Sequence, residues 1–229
     1  MPDIVYEDNH LLIVVKPPNL LTQGDATGDP CLADEVKAYL KEKYHKPGDA
    51  YLGLVHRLDR PVGGLVALAK TGKAASRLSE QLRTHAMRRE YLAVVHGADI
   101  APSGTLSDFL LDENGTVRAV PQGTDGAREA VLRYETLAVH AGTALLYIQL
   151  ATGRKHQIRV QLQNAGHPIV HDMRYGTDEA GEPIALWGAV LTLSHPTTKE
   201  TMTFTSKPRG SAFAAYEEAL RAFFQEGNA

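Results

Sequence analysis

The sequence predicts an α+β fold built on a large mixed, mainly antiparallel β-sheet flanked by helices and loops. Short apolar runs recur along the chain, and most are separated only by stretches rich in Gly, Pro, Asp and Asn. Few segments have apolar residues at helical spacing, and these lie between or after the runs. Since neither an internal repeat nor a linker interrupts the pattern, we expect one domain over residues 1–229.

The first predicted elements are a hairpin and a helix. Residues 4–7 and 11–15 are apolar runs joined by a short turn, which is typical of two adjacent strands. A loop rich in Gly, Asp and Thr follows. Apolar residues then recur at helical spacing, so we expect a helix that starts at about Asp29 and ends before Pro47.

The stretch over 52–71 places charged residues between two strands. Apolar runs over 52–55 and 65–69 are bounded by Pro and Gly, as expected of buried strands, and the loop between them carries His56, Arg57, Asp59 and Arg60. Cations on both sides of Asp59 favour its ionised form, which can serve as a nucleophile or an electrostatic anchor. Taken alone, the loop is equally consistent with Asp59 capping a turn between solvated arginines.

The middle of the chain is predicted to contain one helix and several strands. Thr71 is placed to cap a helix with an apolar stripe. The run RREYLAVVHG, residues 88–97, is apolar on both faces, which is typical of a central strand with a basic entrance. We expect hairpins within 98–125, and a further hairpin that pairs 130–139 with 143–150.

The last third begins with the basic segment TGRKHQIRVQLQNAGHP. Its apolar spacing indicates a short helix starting near Arg154, which would place Lys155 and Arg159 close to the helix N-terminus. Cations there are unfavourable for folding alone and favourable once an anion binds. After an irregular loop over 171–183, we expect two strands and a C-terminal helix, at 186–194, 200–205 and 213–224.

Composition argues against several classes of function. The chain has 229 residues and a formal net charge of -3, unlike a nonspecific nucleic-acid binder with a basic coat. Basic residues are instead concentrated at 83–89 and 154–159. Cys31 is the only cysteine, so no intramolecular disulfide is expected. Since no signal-peptide or membrane-spanning pattern is present, we expect a cytoplasmic protein without membrane association.

Three separated motifs together resemble the RluA-type pseudouridine synthases, which isomerise uridine in structured RNA. The motifs are VHRLDRPVGGLVALAKT, REYLAVVHG and TGRKHQIRVQLQNAGHPIVHDMRYG, and they occur in the family's order. The resemblance runs from about residue 4 to residue 208. The chain differs from the commonest pattern at 62–64, where many members have Thr-Ser-Gly, and at His171, where Gly is usual. We expect no separate N-terminal RNA-binding module.

The resemblance implies the pseudouridine synthase fold and an isomerisation that needs neither cofactor nor metal. It identifies Asp59 as the catalytic aspartate and Tyr91 as the tyrosine that stacks on uracil or transfers a proton. It identifies Arg159 as the ion-pair partner of the aspartate, with Arg154 as the second candidate. Whether Asp59 attacks the sugar, attacks the base or acts as a base stays open. We expect Asp59, Tyr91 and Arg159 to converge on one cleft.

The resemblance also implies that the target uridine is flipped out of a stem-loop of ribosomal or transfer RNA. Arg57 resembles the arginine that enters the vacated space. For each cation, a solvated surface charge is the alternative interpretation. We expect a monomer with no obligatory protein partner. The residues expected to bind the substrate are His56, Arg57, Arg60, Arg88, Arg89, Arg154, Lys155 and His156.

Two other classes of function fit parts of the sequence. One is a hydrolase or metal enzyme, although no HExxH motif or Cys cluster is present and nearby arginines would oppose a bound cation. The other is a non-catalytic RNA-binding protein, favoured by the basic segments but not by the net charge. The residues that a hydrolytic site would use are His56, Asp59, His156, His167, His171 and Asp172.

Overall fold

The computed structural model describes residues 1–45, 47–176 and 181–226, with only the backbone described at 226. In chain order, the elements are β1 (Asp3–Glu7), β2 (Leu11–Lys16), α1 (Leu32–Lys43), β3 (Gly53–Leu54), β4 (Gly63–Ala69), α2 (Gly72–Arg83), β5 (Arg88–His96), β6 (Ser103–Glu113), β7 (Thr116–Val120), β8 (Arg128–His140), β9 (Thr143–Leu150), α3 (Gln157–Asn164), β10 (Leu186–Ser194), β11 (Thr201–Thr205), a 3-10 helix (Ser211–Tyr216) and α4 (Glu217–Glu226).

The chain forms two compact units, and most elements lie within one of them. The first unit comprises Met1–Arg89 and Gly188–Ser206, and the second comprises Glu90–Trp187 and Lys207–Ala229. The expectation of a single domain over the whole chain stays a prediction. The predicted α+β class with a mainly antiparallel sheet is confirmed.

In the first unit, β1 and β2 form an N-terminal hairpin, and β2 also pairs with β4; both pairings are antiparallel. Every residue of β2 and β4 is buried, which explains why both strands are unbroken apolar runs. β3 pairs with β4 as well, over two residue pairs only, so the predicted strand over 52–55 exists in shortened form. β10 lies beside β4 and forms an antiparallel hairpin with β11.

In the second unit, five strands follow the order β5-β9-β8-β6-β7, with each neighbouring pair antiparallel. Where several hairpins were predicted within 98–125, the structure has one, formed by β6 and β7, and the hairpin predicted over 130–150 is confirmed as β8 and β9. Helix α3 contacts β6 and β7, and its residues 157–162 are all buried. The strand predicted at 88–97 is confirmed as β5, whose residues 90–95 are buried.

Three element boundaries differ from the sequence predictions. Helix α1 begins at Leu32 because the amide of Leu32 bonds to Leu21 O, which holds the preceding segment out of the helix. Helix α3 begins at Gln157 because His156 adopts a left-handed φ of 53°, so Arg154 and Lys155 precede the helix. The C-terminal helix is preceded by a 3-10 helix. Among the described residues, no helix is long and apolar enough to cross a membrane.

Candidate functional site

The loop over 55–62, between β3 and β4, holds Asp59 in the first unit. Along it, Leu58 is buried and Asp59 is half-buried, while Arg57 and Arg60 on either side are exposed. The amide of Val62 donates to Asp59 O at 3.0 Å, which closes a turn directly after Asp59. The buried side chain of Leu58 therefore fixes the loop to the core, while the charged side chains on either side of Leu58 remain accessible to solvent.

Two side chains from the N-terminal segment hold the main chain on both sides of Asp59. Thr22 Oγ1 donates to Leu58 O at 2.7 Å and accepts from Leu58 N at 3.2 Å. Lys16 Nζ donates to Arg60 O at 3.0 Å and to Leu20 O at 2.7 Å. Sequence analysis missed both residues, although a lysine that closes an apolar run is an unusual feature.

Lys16 is fully buried, with 0% of its surface exposed. Burial lowers the pKa of its ammonium group to about 7, and the charge of Asp59 acts in the opposite direction. Its third donated bond goes to Pro17 O at 3.0 Å, so three main-chain carbonyls replace the lost water. Lys16 is thus a buried, titratable amine within electrostatic reach of Asp59.

His56, near the start of the loop, is buried and bonds to β4. Its Nε2 accepts from Ala67 N at 3.0 Å, so the neutral ring carries its proton on Nδ1. Burial and then the charge of Arg89 lower the pKa of His56 to about 3. The structure therefore gives His56 a supporting role in the fold, while its predicted contact with substrate stays a prediction.

The other predicted cations of the first unit are mostly on its surface. Arg60 pairs with Asp29 at 2.6 Å, and both side chains are about half exposed. Arg57 and Arg88 are exposed, and Arg89 is half-buried. Exposed guanidinium groups have the accessibility that phosphate contacts require, which is compatible with the predicted binding of substrate.

Gly64 fixes the end of the loop. Its φ of 126° is in the region that favours glycine, and a Cβ built on it would lie 2.4 Å from the main-chain N and O of Gly188. No side chain fits this approach of β4 to β10. The Gly at position 64 matches the Gly of the commonest family pattern, so the departure at 62–64 leaves the required residue in place.

In the second unit, Tyr91 lies on β5 opposite Ile148 of β9. Its side chain is 6% exposed. This burial does not distinguish a core aromatic residue from a tyrosine that lines a narrow pocket, because both are buried on a central strand. The role of Tyr91 therefore stays a prediction from the family motif.

Arg159, on α3, is held by a buried carboxylate. Its Nε donates to Asp172 Oδ2 at 2.8 Å and its Nη2 to Asp172 Oδ1 at 2.7 Å, a bidentate geometry. The side chains of Arg159 and Asp172 are 6% and 1% exposed. Burial alone would raise the pKa of Asp172, but the hydrogen bonds and charge of Arg159 lower it overall, so the pair is ionic.

The loop after α3 completes this arrangement. The amides of Arg174 and Tyr175 donate to Asp172 Oδ1 at 3.0 and 3.1 Å, and the Tyr175 ring lies 5.0 Å from the Arg159 guanidinium carbon. The Tyr175 hydroxyl lies 2.7 Å from Nδ1 of His156. Thus two predicted site residues, His156 and Arg159, meet at Tyr175, which sequence analysis had left in an irregular loop.

The remaining predicted cations precede α3. Arg154 Nε donates to Glu129 O at 2.9 Å, and Lys155 pairs with Asp112 at 2.9 Å. Both side chains are exposed. Within the described ranges, no group of three or more His, Cys, Asp or Glu residues could hold a metal ion. The expected convergence of Asp59 with Tyr91 and Arg159 stays a prediction.

Comparison with known proteins identifies relatives along most of the sequence. Residues 10–164 match the family model described as RNA pseudouridylate synthase. A Salmonella typhimurium protein named ribosomal large subunit pseudouridine synthase C is 31% identical, with 95% of this chain and 70% of the relative aligned. An uncharacterized RNA pseudouridine synthase from Mycoplasma pneumoniae is 33% identical, with 90% and 66% aligned. The chain thus spans about two thirds of the length of these curated relatives.

Solved structures give the same result for the fold. Human RNA pseudouridylate synthase domain containing 4 aligns with a TM-score of 0.76 over 96% of this chain and 93% of that chain, at 22% identity. Human RNA pseudouridylate synthase domain containing 1 aligns with a TM-score of 0.70 at 20% identity. At these identities, the likeness concerns the fold.

Proposed function

Because the chain belongs to the RNA pseudouridylate synthase family, a family of isomerases, we propose that it converts uridine to pseudouridine in structured RNA. The family match over residues 10–164 carries the proposal, and this range contains Asp59, Tyr91 and Arg159. In the reaction, the bond from N1 to C1′ breaks and a bond from C5 to C1′ forms. The hydrogen on C5 leaves to solvent as a proton and N1 gains a proton, so the reaction is redox-neutral and the product is an isomer of the substrate.

Asp59 is the residue we propose for the reaction itself, as a nucleophile or as a base. Its backbone is held on both sides by Thr22 and Lys16, which supports a role that depends on position. Both possible roles need an ionised carboxylate, and the buried side chain of Lys16 lies within electrostatic reach of it.

Tyr91 and Arg159 are proposed to act on the same uridine as Asp59. A tyrosine ring can stack on uracil while it is detached, and its phenol can transfer a proton. The guanidinium of Arg159 is held by Asp172, so its charge stays in place when substrate enters and leaves. That fixed charge suits stabilisation of Asp59 or of negative charge developing on the uracil.

We further propose that the target uridine is flipped out of a loop or bulge before it reacts. A stacked base hides N1 and C5, and unstacking costs least in irregular RNA. Arg57 is exposed two residues before Asp59 and is our candidate for the residue that fills the vacated space. Relatives named as ribosomal large subunit pseudouridine synthases favour ribosomal RNA of the large subunit as the substrate over transfer RNA.

Two experiments test the proposal. RNA labelled with tritium at C5 of uridine should release the label to water when incubated with the protein, because formation of the C5 to C1′ bond expels that hydrogen. Mapping of pseudouridine in total RNA from cells with and without the gene should then show at least one site missing, in large-subunit ribosomal RNA. If no label is released and no site is missing, the proposed activity is wrong; a missing site in transfer RNA alone would overturn the substrate.

A further inference from the structure

The second unit contains a pocket of about 440 Å³ that the proposed reaction does not use. We propose that this pocket binds a phosphodiester of the RNA substrate, at a nucleotide other than the one that reacts. The inference rests on the proposed function, since it assumes that RNA is the substrate. The pocket is lined by Leu110, Asp112, Val117, Gly126, Arg128, Gly153, Arg154 and Lys155.

The charge of the pocket selects an anion. The lining contains the cations Arg128, Arg154 and Lys155 but only one carboxylate, Asp112, so it has an excess of two positive charges. The whole chain carries a net charge of -3, so this concentration of cations is not a general property of its surface. Within the described ranges, ion pairing in the lining is limited to Lys155 and Asp112. Among the described residues, the two arginines have no acidic partner, and an arginine can bind a phosphate through paired donors.

The cationic groups are held in place before any ligand arrives. Arg154 Nε donates to Glu129 O at 2.9 Å, which orients its guanidinium. Lys155 Nζ donates to Asp112 at 2.9 Å, and Asp112 Oδ1 accepts from Gly115 N at 3.0 Å in the turn between β6 and β7. Because less side-chain freedom is lost on binding, preorganisation of this kind increases affinity.

The remaining lining suits a sugar–phosphate backbone. Leu110 and Val117 belong to a buried cluster with Ala130 and Val160, so the apolar part of the pocket is firmly packed. Gly126 and Gly153 also line the pocket, and neither carries a side chain that would narrow it. The lining as described contains no aromatic ring on which a base could stack. We therefore expect contacts with phosphate and ribose, which carry no direct sequence information.

The salt dependence of RNA binding tests the pocket. For Arg128→Gln and Arg154→Gln, we expect the slope of log K against log salt concentration to fall by about 1 for each lost phosphate contact. We expect KM for RNA to rise several-fold, with a smaller change in kcat. The matched control is Arg118→Gln, because Arg118 is an exposed arginine on β7 that pairs with Glu113 and does not line the pocket. It should leave the slope and KM unchanged.

Asp112→Asn gives a gain-of-function test that damage to the fold cannot imitate. The amide oxygen can still accept from Gly115 N, while removal of the negative charge releases Lys155 for the phosphate. RNA affinity should rise several-fold and the salt slope should become steeper. Unchanged slopes in all three pocket variants, measured on protein that still isomerises uridine, would overturn the pocket and leave the proposed function standing. Binding of inorganic phosphate that is lost in Arg128→Gln and Arg154→Gln, while RNA binding by both variants is unchanged, would assign the pocket to free phosphate and would also overturn the proposal.

Discussion

Asp59 and Arg159 are both proposed to act on uridine, yet the fold holds them in different ways. Around Asp59, Thr22 and Lys16 bond to the main chain of the neighbouring residues and fix the backbone from which the carboxylate extends. At Arg159, the charged group itself is fixed by Asp172. Loss of the bonds beside Asp59 should therefore change mainly the catalytic rate. Loss of the pair between Arg159 and Asp172 should mainly lower the free energy of unfolding.

The largest effect is expected at Asp172. Asp172→Ala leaves the guanidinium of Arg159 buried without its bidentate partner, and loss of one member of a buried pair typically costs about 3–5 kcal/mol. Urea unfolding of the variant measures the loss of free energy of unfolding. Asp112→Ala is the matched control, since it removes the carboxylate of an exposed pair with Lys155 and should change stability far less. Equal effects of the two substitutions would contradict the assignment of Asp172 as a buried support.

A smaller effect on stability, with a larger one on rate, is expected at Thr22. Thr22→Val keeps the shape but removes both hydrogen bonds to Leu58, leaving buried main-chain groups unsatisfied at a cost of about 1–3 kcal/mol. Because Leu58 directly precedes Asp59, kcat should fall more than tenfold while KM for RNA changes little. Thr22→Ser retains the hydroxyl and should restore kcat. A valine variant with wild-type kcat would show that the position of Asp59 does not depend on this bond.

The lowered pKa of His56 predicts that the stability of the protein depends on pH. Its folded pKa of about 3 lies below the unfolded value near 6.5, so between these values the unfolded state binds a proton that the folded state does not. Stability is therefore lost as pH falls through 6.5 towards 3, and at pH 5.5 the loss relative to alkaline pH is about 1.4 kcal/mol. His56→Gln can still accept from Ala67 N and lacks this titration. The difference in unfolding free energy between variant and wild type should shift in favour of the variant on acidification; a constant difference would show that His56 does not titrate in this way.

The smallest effect is expected at Arg60. Its pair with Asp29 is half exposed, and exposed pairs contribute about 0.2–1 kcal/mol. Asp29→Asn should therefore change the free energy of unfolding by less than 1 kcal/mol, and its effect should diminish further at high salt. A loss comparable with that of Asp172→Ala would mean that the exposed part of the Asp59 loop is held more rigidly than its hydrogen bonds indicate.

The sequence predicted features that depend on near neighbours. The bounds of β10 were predicted correctly, and Thr71 caps α2 as expected, with its Oγ1 accepting from Ala74 N. Alternation, apolar runs and caps are local signals, so one stretch of chain is enough to identify them. The candidate catalytic residues, in contrast, were identified from the family motifs.

The supports of the candidate residues could not be predicted in the same way. Thr22 and Leu58 are 36 residues apart, and Lys16 and Arg60 are 44 apart, so no local pattern links them. The departure from the family motif at His171 also could not be explained from the sequence, because the explanation depends on the backbone conformation. His171 has a φ of 61°, in the region that favours glycine, which accounts for Gly being usual at this position.

Replacement of Asp59 by asparagine tests the central claim most directly. The measurement is tritium release from C5-labelled RNA, made alongside the affinity of the same variant for unlabelled RNA. Asp59→Asn keeps the shape of the side chain, so we expect RNA binding within about threefold of wild type and no detectable isomerisation. Isomerisation at the wild-type rate would contradict the assignment of Asp59, and equal loss of binding and isomerisation in a folded variant would favour a role for Asp59 in binding RNA alone.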